Sequence, residues 1–243
     1  MKHFHLFLTF SAFLATTSLG QAQYGDISSL KLIKPEDKVD AKSTPAPKGA
    51  KILFDGKSID NWVMKDGKSA VKAKLVDGGI LEIHGGDIIT MEKLEGNFRL
   101  HVEFRVPYEP KNSGQGKGNS GVYVQGRYEV QVLDSYGLKS GMGDCGAIYS
   151  VKPPSVNACK APTVWQSYDI DFTAPVYANG KRKEWPRMTV VHNGIKIQDD
   201  VEVTTENTTA GMGGDPSKPG PLMLQDHGHP VQYRNIWVLP LGK

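Results

Sequence analysis

The chain has 243 residues, 39% of them hydrophobic and 23% charged, with a formal net charge of +3. This is ordinary globular composition and not that of a disordered chain. The basic residues form no block of like charge, so a nucleic-acid footprint is not supported.

In chain order, the first segment reads MKHFHLFLTFSAFLATTSLGQAQ, with Lys2, an apolar run from Phe4 to Leu14, then Gly20 and Ala22. The pattern predicts a secretory signal over residues 1–22 with cleavage after Ala22, in a run too short to cross a bilayer. No Cys follows that run where a lipid anchor would attach, and no later stretch approaches about eighteen apolar residues. The expected product is exported, periplasmic or extracellular, with no membrane insertion. Residues 23–50 alternate Lys with Asp or Glu and end in STPAPKGA, which reads as a linker or loosely held arm.

From Lys51 to the end, residues 51–243, the pattern is all β: short runs rich in Val, Ile and aromatics, separated by Gly, Asn and Asp, with no long helical period. Strand candidates include KILF, GILEIH, DIITME, FRLHVEFRV, GVYVQG, YEVQVLD, SYDIDFT, RMTVVHN, IKIQDDVEV, PLMLQD and YRNIWVLP. His192-Asn193-Gly194 between two such runs predicts a tight hairpin. So many strands without a fixed repeat predict a two-sheet antiparallel sandwich, with a barrel as the alternative.

Alternation then assigns faces. In FRLHVEFRV, Phe98, Leu100, Val102, Phe104 and Val106 share the core side, leaving Arg99, His101, Glu103 and Arg105 on the other. In YEVQVLD, Val130 and Val132 point inward and Glu129 and Gln131 outward. Asp134 breaks this parity, so the chain either turns at Leu133-Asp134 or carries a bulge that re-aims the carboxylate. A row of Glu, Gln, His and Arg interleaved with Tyr123 and Tyr128 suits a polar ligand better than a merely solvated face does. Asn119 and Ser120 at the mouth of one strand, and Gln225, Asp226, His227, His229, Arg234 and Asn235 within eleven residues, add to that density.

Cys145 and Cys159 are the only cysteines, both in one loop-like region. In an oxidising compartment a disulfide between them is the favoured expectation, with two buried free thiols as the rival. A metal there is disfavoured, because no Cys-x-x-Cys or neighbouring His completes a ligand set. No cofactor is required by the sequence; calcium or another divalent ion on oxygen ligands is not readable from it. No phosphate loop, dinucleotide fingerprint or Gly-x-Ser-x-Gly is present.

Seven segments in order, LFDGKSIDNW, GDIITMEKLEGNFRLHVEFRV, GNSGVYVQGRYEVQVLD, CGAIYSVKPPS, YDIDFTAP, MTVVHNGIKI and LMLQDHGHPVQYRNIWVLPL, resemble the 3-keto-disaccharide hydrolase domain family from about Lys51 to Leu241. The resemblance implies a concanavalin A-like lectin/glucanase jelly roll and an oligosaccharide or glycoside partner. Glucanases on that fold carry a Glu-x-Asp-x-x-Glu strand, which here is Glu129-x-Gln131-x-x-Asp134. The missing middle acid and the shorter last one weaken a two-carboxylate mechanism. The family implies instead a sugar already oxidised at its third carbon, whose acidified neighbouring proton a single base can remove.

On this reading Glu129 is the base and Asp134 or Glu103 the second acid. Arg234 or His227 stabilises negative charge, while Asn119, Gln131, Gln225 and Tyr123 bind substrate. Trp165 is open between core packing and a sugar-stacking platform. A non-catalytic carbohydrate-binding domain is the competing reading, because the same fold serves lectins.

Overall fold

The computed structural model describes residues 24–242; the expected signal segment lies outside them. Its strands are Lys51–Phe54 (β1), Trp62–Met64 (β2), Lys74–Val76 (β3), Ile80–Glu82 (β4), Ile88–Leu94 (β5), Phe98–Arg105 (β6), Ser120–Val124 (β7), Tyr128–Val132 (β8), Gln166–Thr173 (β9), Val176–Ala178 (β10), Lys181–Glu184 (β11), Arg187–His192 (β12), Ile195–Glu202 (β13), Gly220–Leu224 (β14) and Gln232–Pro240 (β15). The larger sheet runs β13-β12-β9-β6-β15-β4-β3, with β1 also on β15, and the smaller runs β2-β5-β14-β7-β8. Strands β10 and β11 form a separate ribbon. The described pairings are antiparallel, as the period-two pattern predicts.

Alternating apolar residues of both sheets meet in one core, Leu100, Val102, Phe104, Tyr168, Ile170 and Tyr233 from one side and Val122, Val124, Val130, Val132, Leu222 and Leu224 from the other. Two tyrosines of the larger sheet cross that core: Tyr168 Oη donates to the Gln131 carbonyl at 2.7 Å, and Tyr233 Oη and Ser120 Oγ share a hydrogen bond of the same length. The β12–β13 hairpin closes on Asn193 and Gly194, both at positive φ, 51° and 81°. That is the mirror-image turn matched to strand twist.

The arm differs from the expectation of a loosely held linker. Residues 24–44 lie across the outer face of the larger sheet. Tyr24 Oη donates to Arg105 O at 2.8 Å, Ala41 N to Trp165 O at 2.9 Å, Ser43 Oγ to Glu103 Oε1 at 2.5 Å, and Trp237 Nε1 to Thr44 O at 3.1 Å. Its low hydrophobicity hides this docking because, apart from the buried ring of Tyr24, the attachment is through hydrogen bonds and stacked cations. Trp165 is clasped between Arg105 and Arg234, whose guanidinium carbons lie 4.7 and 4.1 Å from the ring. It is therefore a structural clamp and not an open sugar platform.

Beneath the arm, Glu103 is 1% exposed. Burial alone would raise its pKa, but hydrogen bonds from His101, Ser43, Asn235 and Arg234 outweigh that and hold it at about 2. Glu103→Ala leaves Arg234 without its 2.7 Å partner and is expected to cost about 3 kcal/mol in denaturant unfolding at neutral pH. Because the folded pKa lies below the unfolded value of 4.5, the contribution is full above that pH and is lost as pH falls towards about 2. The gap between wild type and variant should close over that window; a gap independent of pH would contradict the assignment.

Candidate active site

Strands β7 and β8 pair without a bulge, setting Tyr123 opposite Glu129 and Gly121 opposite Gln131. Parity turns Val122, Val124, Val130 and Val132 into the core and Tyr123, Glu129 and Gln131 to the outer face of the smaller sheet. Gly121 makes room there. A Cβ on it would lie 2.5 Å from Glu129 Oε1 and 2.7 Å from Tyr123 Cε2, so only glycine admits both side chains.

Strand β14 adds Met223 opposite Tyr123 and then Gln225, whose Nε2 donates to Tyr123 Oη at 3.1 Å. From β5 and its approach come Ile89 and Asp87. Asp87 pairs with Lys65 Nζ at 2.9 Å and accepts from the Asp226 backbone N–H at 2.9 Å.

Two loops roof this face. Thr208 Oγ1 accepts from Glu129 N at 3.1 Å while donating to Arg127 O at 2.7 Å, and Lys65 Nζ reaches Ala210 O at 3.1 Å. On the other side, residues 144–149 run along the free edge of β8: Gly146 N donates to Gln131 O, and Tyr149 N to Glu129 O. That loop satisfies an edge otherwise open to further pairing.

Glu129 is 3% exposed under these roofs. Burial raises its pKa to about 7; the Tyr123 phenol, within hydrogen-bonding reach, partly opposes this and the Asp87 charge adds to it. Burial and then the Glu129 charge push the Tyr123 phenol far up, so it stays protonated. The result is a carboxylate that exchanges a proton near neutrality, held by a phenol that is itself fixed by an amide. A cavity of about 230 Å³ opens at the β2 edge of this sheet, lined by Met64, Lys65, Asp66, Ser69, Lys72 and Asp87; of these, Asp87 is the residue whose charge acts on Glu129. A larger hollow of about 490 Å³ lies on the opposite face of the sandwich, between the arm and the larger sheet around Asp169, Asp171 and Trp237.

Of the residues expected to act together, the fold gathers Glu129, Tyr123, Gln131, Gln225 and Asn119 on one face. Asn119 Oδ1 is buried with no partner while its Nδ2 donates to Gln115 O at 2.8 Å, so one acceptor is free for a ligand. Gln131 is engaged, with Nε2 on Gln115 Oε1 at 3.0 Å and Gly143 O at 3.2 Å. Asp134 carries no bulge: β8 ends at Val132 and the chain turns. Its carboxylate sits 3.0 Å from Lys117 Nζ, its pKa raised by burial against that ion pair. His227 is exposed in the turn after β14, its ring 6.2 Å from that of His229.

Glu103 and Arg234 are the correction. They pair on the outer face of the other sheet, across the core from Glu129. Strand parity says which residues face outward but not out of which sheet. Asp87 was missed for a related reason: it flanks a strand, and only the β5-β14-β7-β8 pairing brings it, with its partner Lys65, onto the face of Glu129.

The expected disulfide is also corrected, since Cys145 and Cys159 are free thiols. Cys145 Sγ lies 3.0 Å from Tyr168 Oη, and His192, far away in sequence, joins both sulfurs. The expectation rested on an oxidising compartment and on a shared loop, neither of which specifies sulfur geometry.

A two-sheet antiparallel sandwich of this kind, presenting a buried acid on one outer face, falls in the concanavalin A-like lectin/glucanase class, whose coarse role here is action on carbohydrate. Residues 49–239 match the 3-keto-alpha-glucoside-1,2-lyase-like domain, and the chain belongs to that family. A candidate glycosyl hydrolase from Parabacteroides distasonis is 36% identical, with a TM-score of 0.72 over 81% of this chain and 86% of that one. Two more candidate glycosyl hydrolases from the same organism share the fold at 22% and 20% identity, with TM-scores of 0.55 and 0.53, over 80% and 79% of this chain and 94% and 99% of theirs. No curated protein matches significantly.

Two outcomes are expected of this geometry. Gly121→Ala drives a methyl into Glu129 and Tyr123, so the variant should melt lower and bind ligand more weakly, where a neutral substitution would show Gly121 to be incidental. The Glu129 pKa is raised from 4.5 to about 7, so folding stability should be full below the lower value and decline as pH rises through the upper one. Glu129→Gln removes that decline. It should exceed wild type in stability above neutrality, by up to about 3 kcal/mol, and a pH-independent difference in urea unfolding would refute the raised pKa.

Proposed function

We propose that the protein is an exported enzyme that cleaves the glycosidic bond of sugars already oxidised to a ketone at carbon three, by elimination followed by hydration. The reading rests on one observation above the others, a buried carboxylate with a pKa of about 7 backed by a protonated phenol. Its family supports action on carbohydrate.

In the proposed reaction Glu129 takes the proton on carbon two, and the electron pair of that bond moves towards the ketone as an enolate. The enolate collapses to a double bond between carbons one and two, expelling the glycosidic oxygen, which is protonated from the open side of the site. Water then adds to carbon one, and Glu129 returns its proton to carbon two. The sum is hydrolysis, with no net oxidation. Lys65, on the Glu129 face, takes the charge-stabilising role that Arg234 cannot reach, and Asn119 Oδ1 and Gln225 hold hydroxyls.

A glycosidase with two carboxylates is disfavoured. Asp87 is the carboxylate whose charge acts on Glu129, and both its oxygens are committed to Lys65 and the Asp226 amide. The depth of Glu129 favours the second reading, a binding domain without chemistry.

The test is incubation with a 3-keto-glucoside and its unoxidised parent, following aglycone release. Cleavage of the keto substrate alone is expected, with kcat/KM rising through about pH 7 as Glu129 deprotonates. A deuterium at carbon two should slow release, and Glu129→Gln should lower kcat by ~10²–10⁴-fold. Equal cleavage of the parent would sink the elimination, and tight binding of both sugars without cleavage would establish the binding domain.

A further inference from the structure

Behind the candidate active site, three segments converge on a cluster that the proposed chemistry does not use. Cys145 comes from the loop along β8, Cys159 from the approach to β9, and His192 from the end of β12. One ligand atom from each lies within 4.8 Å of the other two. Cys145 is buried and Cys159 half-buried, while His192 is 0% exposed.

The hydrogen bonds fix the tautomer of His192. Gln166 Oε1 accepts from the Lys160 backbone N–H at 2.8 Å, so that atom is the amide oxygen, and His192 Nε2, 3.0 Å away, must donate to it. The proton therefore sits on Nε2 and the lone pair on Nδ1, which is buried with no hydrogen-bond partner. A carbonyl oxygen orienting one imidazole nitrogen while the other is left free is the outer-shell arrangement of a metal-binding histidine.

We infer that Cys145, Cys159 and His192 form a structural site for a thiophilic divalent cation, zinc being the metal that fits. Two thiolates and a neutral imidazole balance a 2+ ion, so the filled site is electrically neutral in a place where net charge is costly. Zinc bonds of ~2.3 Å to sulfur and ~2.0 Å to nitrogen put tetrahedral ligand atoms ~3.5–3.8 Å apart. Closing the cluster from at most 4.8 Å needs only side-chain rotation of about 1 Å. Tyr168 Oη lies 3.0 Å from Cys145 Sγ and donates to the Gln131 carbonyl, tying the cluster to β8.

The ion would tie down the 144–149 loop, whose backbone bonds hold Gln131 and Glu129 from the edge of β8, so it would brace the candidate active site without touching substrate.

The experiment uses the mature protein, purified under reducing conditions and loaded with zinc alone. Metal content by mass spectrometry and competition against a chromophoric chelator should give one zinc per chain, with two thiols protected until the metal is stripped. Cobalt substitution should produce a sulfur-to-metal charge-transfer band.

Cys159→Ser, at the half-buried position, should weaken binding by more than ~100-fold. Gln166→Met, which leaves Nε2 unanchored, should weaken it by ~10–100-fold. The melting temperature should rise with zinc in wild type and not in Cys159→Ser. Folded, reduced wild type that takes up no zinc overturns the inference. If the protein is isolated with a disulfide, the same titration after reduction decides it: uptake supports the site, and no uptake makes the pair a simple crosslink.

Discussion

The register of β7 on β8 is the constraint on which the candidate site depends. Because the two strands pair without a bulge, Glu129 faces Tyr123 across the ladder, and Gly121 leaves the gap into which both side chains fit. One step of slippage would turn the valines outward and bury the carboxylate in the core. Three things resist that slip: the inward valines, the Tyr168 bond to the Gln131 carbonyl, and the Tyr233 contact to Ser120. The larger sheet thus holds the smaller one in register through the core.

The two faces of the sandwich treat a buried glutamate in opposite ways. Glu103 is met by four side-chain donors and the Thr44 backbone N–H, and its charge is stabilised below the usual carboxylate range. Glu129 is equally hidden, but only one side-chain donor acts on it and a like charge is nearby, so its neutral form is favoured. Burial is common to both; the count of donors decides the sign. A carboxylate of the first kind is a fastening, while one of the second kind is able to exchange protons at physiological pH. The same comparison explains why the sequence reading grouped the two residues: both sit at outward positions of alternating strands, and neither alternation counts donors.

Much of the fold was legible because sheets obey a period of two. The inward sets of β6 and β8, the Asn193-Gly194 hairpin and the ordered segments of the family all follow from local pattern. Glu129, Tyr123, Gln131, Gln225 and Asn119 were legible as outward polar residues. What lay beyond the pattern was set by pairings between distant strands: Asp87, paired with Lys65, acting on Glu129, Arg234 on the wrong face, and His192 beside two cysteines. The docked arm escaped notice because hydrogen bonds through Ser43, Thr44 and Asp40 leave no apolar signature.

That arm also bears on the order in which the molecule assembles. Its bonds to Asn235 and Trp237 join residues 191 to 193 positions apart, linking the first described segment to the last strand. Strand β15 lies between β6 and β4 in the larger sheet, so β4, β3 and the seat of the arm join β6, β9, β12 and β13 only once β15 has paired. Contacts of such sequence separation form slowly, since the entropy of closing the long loop is spent before any contact rewards it. The latch that seals Glu103 from water is therefore among the last contacts to close, since it needs both the arm and β15 in place.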